Sequence, residues 1–174
     1  MDDLASRLRN AGSELLGLRD PLVAGEPWPL SAAYGTEPEA DWGPREVLAH
    51  VNEMLPYWTG QLEGVVSADA AAAKRAASPA APPAFGRIAT DPNRLDRIAT
   101  DRPRPTGELL DGIDGGLRRA SAFVDRLSAA DLDRVGRHPT RGDLRVADSI
   151  ERFVVSHLEE HVAQLREILS RRSA

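Results

Sequence analysis

The stretch Ile150-Glu151-Arg152-Phe153-Val154-Val155-Ser156-His157-Leu158-Glu159-Glu160-His161-Val162-Ala163-Gln164-Leu165-Arg166-Glu167-Ile168 decides the fold. Its apolar residues recur at threes and fours, the period of a helix with one buried face. At about 100° per residue from Ile150, Phe153, Val154, Leu158, Leu165 and Ile168 fall within about 80° on either side, and His157 and His161 within about 20°. The reading therefore puts two imidazoles at the middle of a buried face, where unpaired polar groups are costly.

Three more stretches have the same period. Leu4, Leu8, Ala11, Leu15, Leu18 and Leu22 predict a first helix that stops by Pro27. Val47, Val51, Met54, Trp58, Leu62 and Val65 predict a second that begins near Trp42 with Pro44 at its first helical position and Pro56 inside it. Leu110, Ile113, Leu117, Ala120, Val124 and Leu127 predict a third, with Thr106 as its N-cap. Almost nothing alternates with the period of a strand. Four helices with one apolar face each bury those faces together as an all-α four-helix bundle.

The 174 residues fit one domain spanning 1–174. A long connection joins the second and third helices, from Ala70 through the Ala/Pro-rich residues 76–83 to Pro105. Within it Arg87-Ile88-Ala89-Thr90-Asp91 is echoed by Arg97-Ile98-Ala99-Thr100-Asp101, and a short helical turn is predicted over Asn93–Ala99. The connection reads as a solvated linker, or as a lid beside a site.

The chain has no cysteine, which excludes disulfides, thiolate metal sites and a cysteine nucleophile. Its acidic start and the absence of an apolar run of about 20 residues predict a cytoplasmic protein without a membrane partner. A net charge of −5 argues against nucleic acid. Leu16 and Leu22 are read as exposed apolar positions that a homodimer would bury.

The histidines carry the chemistry. His157 and His161, four apart, are spaced to bind one ion from a helix face. His50, at the edge of the second helix's apolar arc, is the natural third donor. Three neutral nitrogens leave a coordination position open, the pattern of a catalytic metal, and they suit zinc, nickel or iron. Glu53, one turn beyond His50, and Glu160, near His157, are candidate proton acceptors, each competing with a plain solvated role. Tyr57 and Gln164 share faces with the histidines and are candidate ligand contacts. His138, before Pro139, reads as a hydrogen-bonding turn residue with a substrate contact as the alternative. Arg166, Arg171 and Arg172 complement a helix C-terminus.

Trp42 to His50, His138-Pro139 with Gly142, and His157 to Leu165 together resemble the DinB-like superfamily of four-helix-bundle metalloproteins. The resemblance implies a metal triad of His50, His157 and His161. It also implies relatives such as mycothiol-dependent maleylpyruvate isomerase and bacillithiol-dependent S-transferases, in which a metal activates a small thiol. The expected function is a divalent-metal-dependent S-transferase that uses a low-molecular-weight thiol such as mycothiol and a small-molecule substrate. The alternatives are a metal-dependent hydrolase and a non-catalytic, stress-associated metal-binding module.

Overall fold

The computed structural model describes residues 2–31, 39–72 and 81–172. Four long helices make the body: α1 (Asp2–Gly17), α3 (Pro44–Ala72), α5 (Thr106–Asp125) and α8 (Ser156–Arg172). Both α1 and α3 pack against α5 and α8, so the four close a ring around one core. That core is continuous from Leu8 and Leu15 through Met54, Leu62, Leu109 and Ile113 to Leu158 and Leu165. The all-α bundle predicted from periodicity is the fold observed.

The first predicted helix is in fact two. It breaks at Leu18 between α1 and α2 (Arg19–Ala24). The cause is Pro21, which has no N–H for the carbonyl of Gly17 and whose ring crowds that carbonyl, while Gly17 is itself a weak helix former. The turn tucks Leu22 wholly inside. The expectation that Leu22 is exposed for a dimer is therefore wrong.

α3 starts at Pro44 as expected and runs through Pro56. Every residue from Glu46 to Val51 is buried, because α4, α5 and α8 cover different sides of this helix. Thr106 is the first residue of α5 rather than its cap. Pro105 holds the cap position with no side chain to offer, and the Thr106 N–H instead donates to Glu26 Oε1 at 2.6 Å. A carboxylate placed there by tertiary structure does what a local cap would do.

The long connection is partly ordered. The Ala/Pro-rich residues 76–80 lie outside the described residues, but α4 (Pro92–Asp101) is a full helix packed on α3, longer than the turn predicted. Asp91 caps it, accepting from the Arg94 N–H at 3.1 Å, and Pro92 follows where its missing donor is harmless.

After α5 comes the one-turn α6 (Ala129–Leu132), then a feature the periodicity did not reveal. Strands β1 (Val135–His138) and β2 (Gly142–Arg145) pair antiparallel, with His138 opposite Gly142. Four residues are too few to show alternation. The Arg137 N–H also donates to the Pro83 carbonyl at 2.8 Å, and the Phe85 N–H to the Arg137 carbonyl at 3.1 Å, so the long connection is stitched to the hairpin.

Between α7 (Val146–Ile150) and α8 the chain forms a π-helical segment, Glu151–Val155. There the Ser156 N–H reaches back to the carbonyl of Glu151. Such wide turns are rare and concentrate at functional sites. Arg7 of α1 ties this region down, donating to Glu151 and to Glu159 at 2.7–2.9 Å.

Candidate metal centre

His50 from α3 and His157 and His161 from α8 converge. Their Nε2 atoms face a common point, with His50 Nε2 3.4 Å from His157 Nε2. A fourth donor, which the sequence reading missed, joins them. Glu39, in a short 3-10 turn (Glu39–Asp41) before α3, places Oε2 3.4 Å from His157 Nε2 and 3.8 Å from His161 Nε2. One donor atom from each of the four residues lies within 4.8 Å of the others. Ligands about 2.0–2.1 Å from a tetrahedral ion sit roughly 3.4 Å apart, so this group could hold a metal ion.

The hydrogen bonds around the cluster leave His161 Nε2 bare. The Gln164 amide donates through Nε2 to the Glu39 carbonyl at 2.7 Å, so its Oε1 faces His161 Nδ1, 3.0 Å away. An amide oxygen only accepts, so His161 carries its proton on Nδ1. Its Nε2 is then a lone pair, buried and without a hydrogen-bond partner. That buried lone pair, beside two further imidazoles and a carboxylate, could be satisfied by a shared cation.

Charge states agree. Burial, reinforced by the neighbouring imidazoles, pushes His50 far below the ordinary histidine range and His161 down to about 4. Burial alone would raise Glu39. The His157 hydrogen bond and the Arg94 guanidinium outweigh it and hold the carboxyl at about 2. Near neutral pH, His50 and His161 are thus neutral and Glu39 ionised, the forms that bind metal.

The other predicted site residues divide. Gln164 hydrogen-bonds both His161 and the Glu39 backbone carbonyl. Glu53 Oε2 lies 3.9 Å from His50 Nδ1 and only 2.5 Å from the Arg87 guanidinium, which in turn sits 3.7 Å over the Tyr57 ring. Glu53 therefore backs His50 from behind, and Tyr57 packs on the arginine that holds Glu53. Glu160 is exposed and lines the cleft into which the cluster opens.

That cleft, of about 480 Å³, includes Glu39, His50 and His157 in its lining. One wall is an aromatic stack in which Trp58 and Phe153 lie 4.3 Å apart and His138 and Phe153 5.2 Å apart, both nearly parallel. His138 makes the turn hydrogen bond expected of it, its Nδ1 accepting from the Thr140 N–H at 3.3 Å, and it is also the buried last residue of β1. Burial, aided by Arg141, lowers its pKa.

No local pattern in the sequence pointed to Glu39, which lies in an acidic, non-periodic stretch. Arg94 was equally hidden, since only the docking of α4 brings it to Glu39.

Gly86 sets how closely the wall is packed. Its φ is +79°, and a Cβ there would stand 2.6 Å from His138 Cδ2 and 3.1 Å from Trp58. Gly86→Ala should cost about 1–3 kcal/mol in urea unfolding, from the left-handed backbone together with displacement of His138. A loss under about 0.5 kcal/mol would mean that this wall yields freely.

A family model described as the DinB superfamily matches residues 4–165. Comparison with curated proteins gave no match, and comparison with solved structures gave none.

Proposed function

The chain belongs to the DinB superfamily, and on that premise we propose that it is a divalent-metal-dependent enzyme that transfers a low-molecular-weight thiol, of the mycothiol type, to an electrophilic small molecule. The observation that carries the reading is the meeting of three imidazole nitrogens and one carboxylate where a cleft opens. His50, His157, His161 and Glu39 would hold the ion. A divalent ion in that position supplies positive charge that favours thiolate over thiol near neutral pH. The chain has no cysteine, so the sulfur comes from a cosubstrate.

The chain's own residues then do three things. Gln164 and Arg94 keep His161 and Glu39 in register. The Trp58, Phe153 and His138 stack walls one side against water and offers a flat apolar surface to an electrophile. Glu160, which lines the cleft, would take the proton that the thiol gives up on becoming thiolate and pass it to solvent. The thiolate sulfur then attacks the electrophile, whose leaving group departs to solvent.

The test is turnover of 1-chloro-2,4-dinitrobenzene with added thiol, read as chloride release. Metal-loaded protein should accelerate it, and His157→Ala should return the rate to background. Equal rates in the two proteins would dispose of the reading. A second reading has its own support in Glu39, because a fourth protein donor can close a tetrahedral shell and make the metal purely structural. In that case chelation lowers the melting temperature while no thiol-dependent rate exists at any thiol concentration.

A further inference from the structure

The described arginines other than Arg141 and Arg152 each reach a carboxylate or a backbone carbonyl. Arg141 lies in the turn between β1 and β2, and Arg152 in the π-helical segment. Both line the same cleft. Among the described residues, the two guanidinia without such a partner thus meet at one opening.

The balance of charge sharpens the point. The protein as a whole carries −5, yet the cleft presents four guanidinia, Arg87, Arg94, Arg141 and Arg152, against the carboxylates of Glu39 and Glu160. Arg87 is engaged by Glu53 and Arg94 by Glu39. Only Glu160 faces the remaining two, and a bound divalent ion would make the cleft more positive still. Guanidinium is a planar fork matched to carboxylate, which it binds more strongly than a neutral acceptor.

We propose that Arg141 and Arg152 dock the carboxylate of the second reactant, an organic anion whose planar apolar body lies along the Phe153, Trp58 and His138 wall. This rests on the reading of the cleft as the place where the electrophile is held. The hairpin and the π-helical segment thereby have one purpose in common. Each brings one arginine to the opening and one ring, His138 or Phe153, to the wall.

Benzoate and benzamide make the test, since they share size and ring and differ in charge. Binding to metal-loaded protein without thiol is followed by calorimetry. Wild type should prefer benzoate about tenfold or more, a preference that weakens with salt. The double variant Arg141→Gln with Arg152→Gln should melt like wild type and bind the two compounds about equally. Arg118→Gln with Arg119→Gln, which removes the same charge from the outer side of α5, should keep the preference.

Three results would overturn the proposal: no preference in wild type, a preference that survives in the Arg141/Arg152 variant and so belongs to the ion, or an equal loss in the Arg118/Arg119 variant. Because no thiol is present, absence of thiol transfer leaves this binding result intact, and absence of charge preference leaves transfer measurable.

Discussion

Replacing His161 by alanine is expected to reduce bound divalent metal to background and to abolish the stabilisation that metal confers. The residue is almost fully buried, and its Nε2 has no hydrogen-bond partner among the described protein groups. A ligand present at a thousand times its Kd stabilises the state it binds by about 4 kcal/mol. In a domain of this size each kcal/mol moves Tm by about 2–4 °C, so zinc or nickel added at that excess should raise the wild-type Tm by about 8–16 °C. His161→Ala should show almost no rise. Comparing each protein with and without metal cancels whatever the substitution costs the bundle itself. Gln164→Leu should fall between, with metal affinity down about 10–100-fold, because it removes the bond that fixes the His161 tautomer but leaves the ligand in place. An unchanged rise in His161→Ala would put the ion somewhere else.

The bundle was legible because its long helices announce themselves through a period of three to four that local chemistry rarely disturbs. The histidine set was legible from the spacing of four between His157 and His161 and from His50 as a histidine on another predicted helix. Glu39 was hidden because a 3-10 turn of three residues has no period. Arg94 and Arg87 were hidden because their roles depend on where the long connection docks. The hairpin was hidden because each strand is only four residues long, and β1 is held also by Pro83 and Phe85 of a distant segment.

The most instructive departure lies within the stretch that decided the fold. An unbroken α-helix from Ile150 would centre His157 and His161 on the buried face and push Leu158 to its edge. The structure shows Leu158 and Leu165 wholly buried, Val162 nearly so, and the His157 side chain 24 % exposed. Phe153, Val154 and Val155 are buried in succession, more than a helix packed on one side would bury. The π-helical turn accommodates one extra residue, so everything beyond it is set back by about 100°. Counted that way, Leu158 and Val162 lie about 20° from Ile150 and Leu165 about 40°, while His161 and His157 sit about 80° and 120° away. The histidines occupy the flank of the core, facing the cleft, and the leucines hold the centre.

This geometry predicts an asymmetry between losing and gaining one residue. Deleting Val155 should convert the wide turn to ordinary α-helix while leaving every downstream face where it is. The cost is the burial of one valine, about 2 kcal/mol, or a Tm lower by about 4–8 °C, with metal still bound. Inserting an alanine between Val155 and Ser156 should instead turn α8 by about 100°, taking Leu158, Val162 and Leu165 off the core and the imidazoles away from His50 and Glu39. Each displaced leucine costs about 2–5 kcal/mol, and together they rival the roughly 5–15 kcal/mol that holds a domain folded. The insertion variant should therefore lose cooperative unfolding and all bound metal. Metal analysis and urea denaturation of the pair decide the matter. If the deletion variant loses its metal as completely as the insertion variant does, the wide turn does not act as a one-residue insertion, and the placement of the histidines beside the cleft has some other cause.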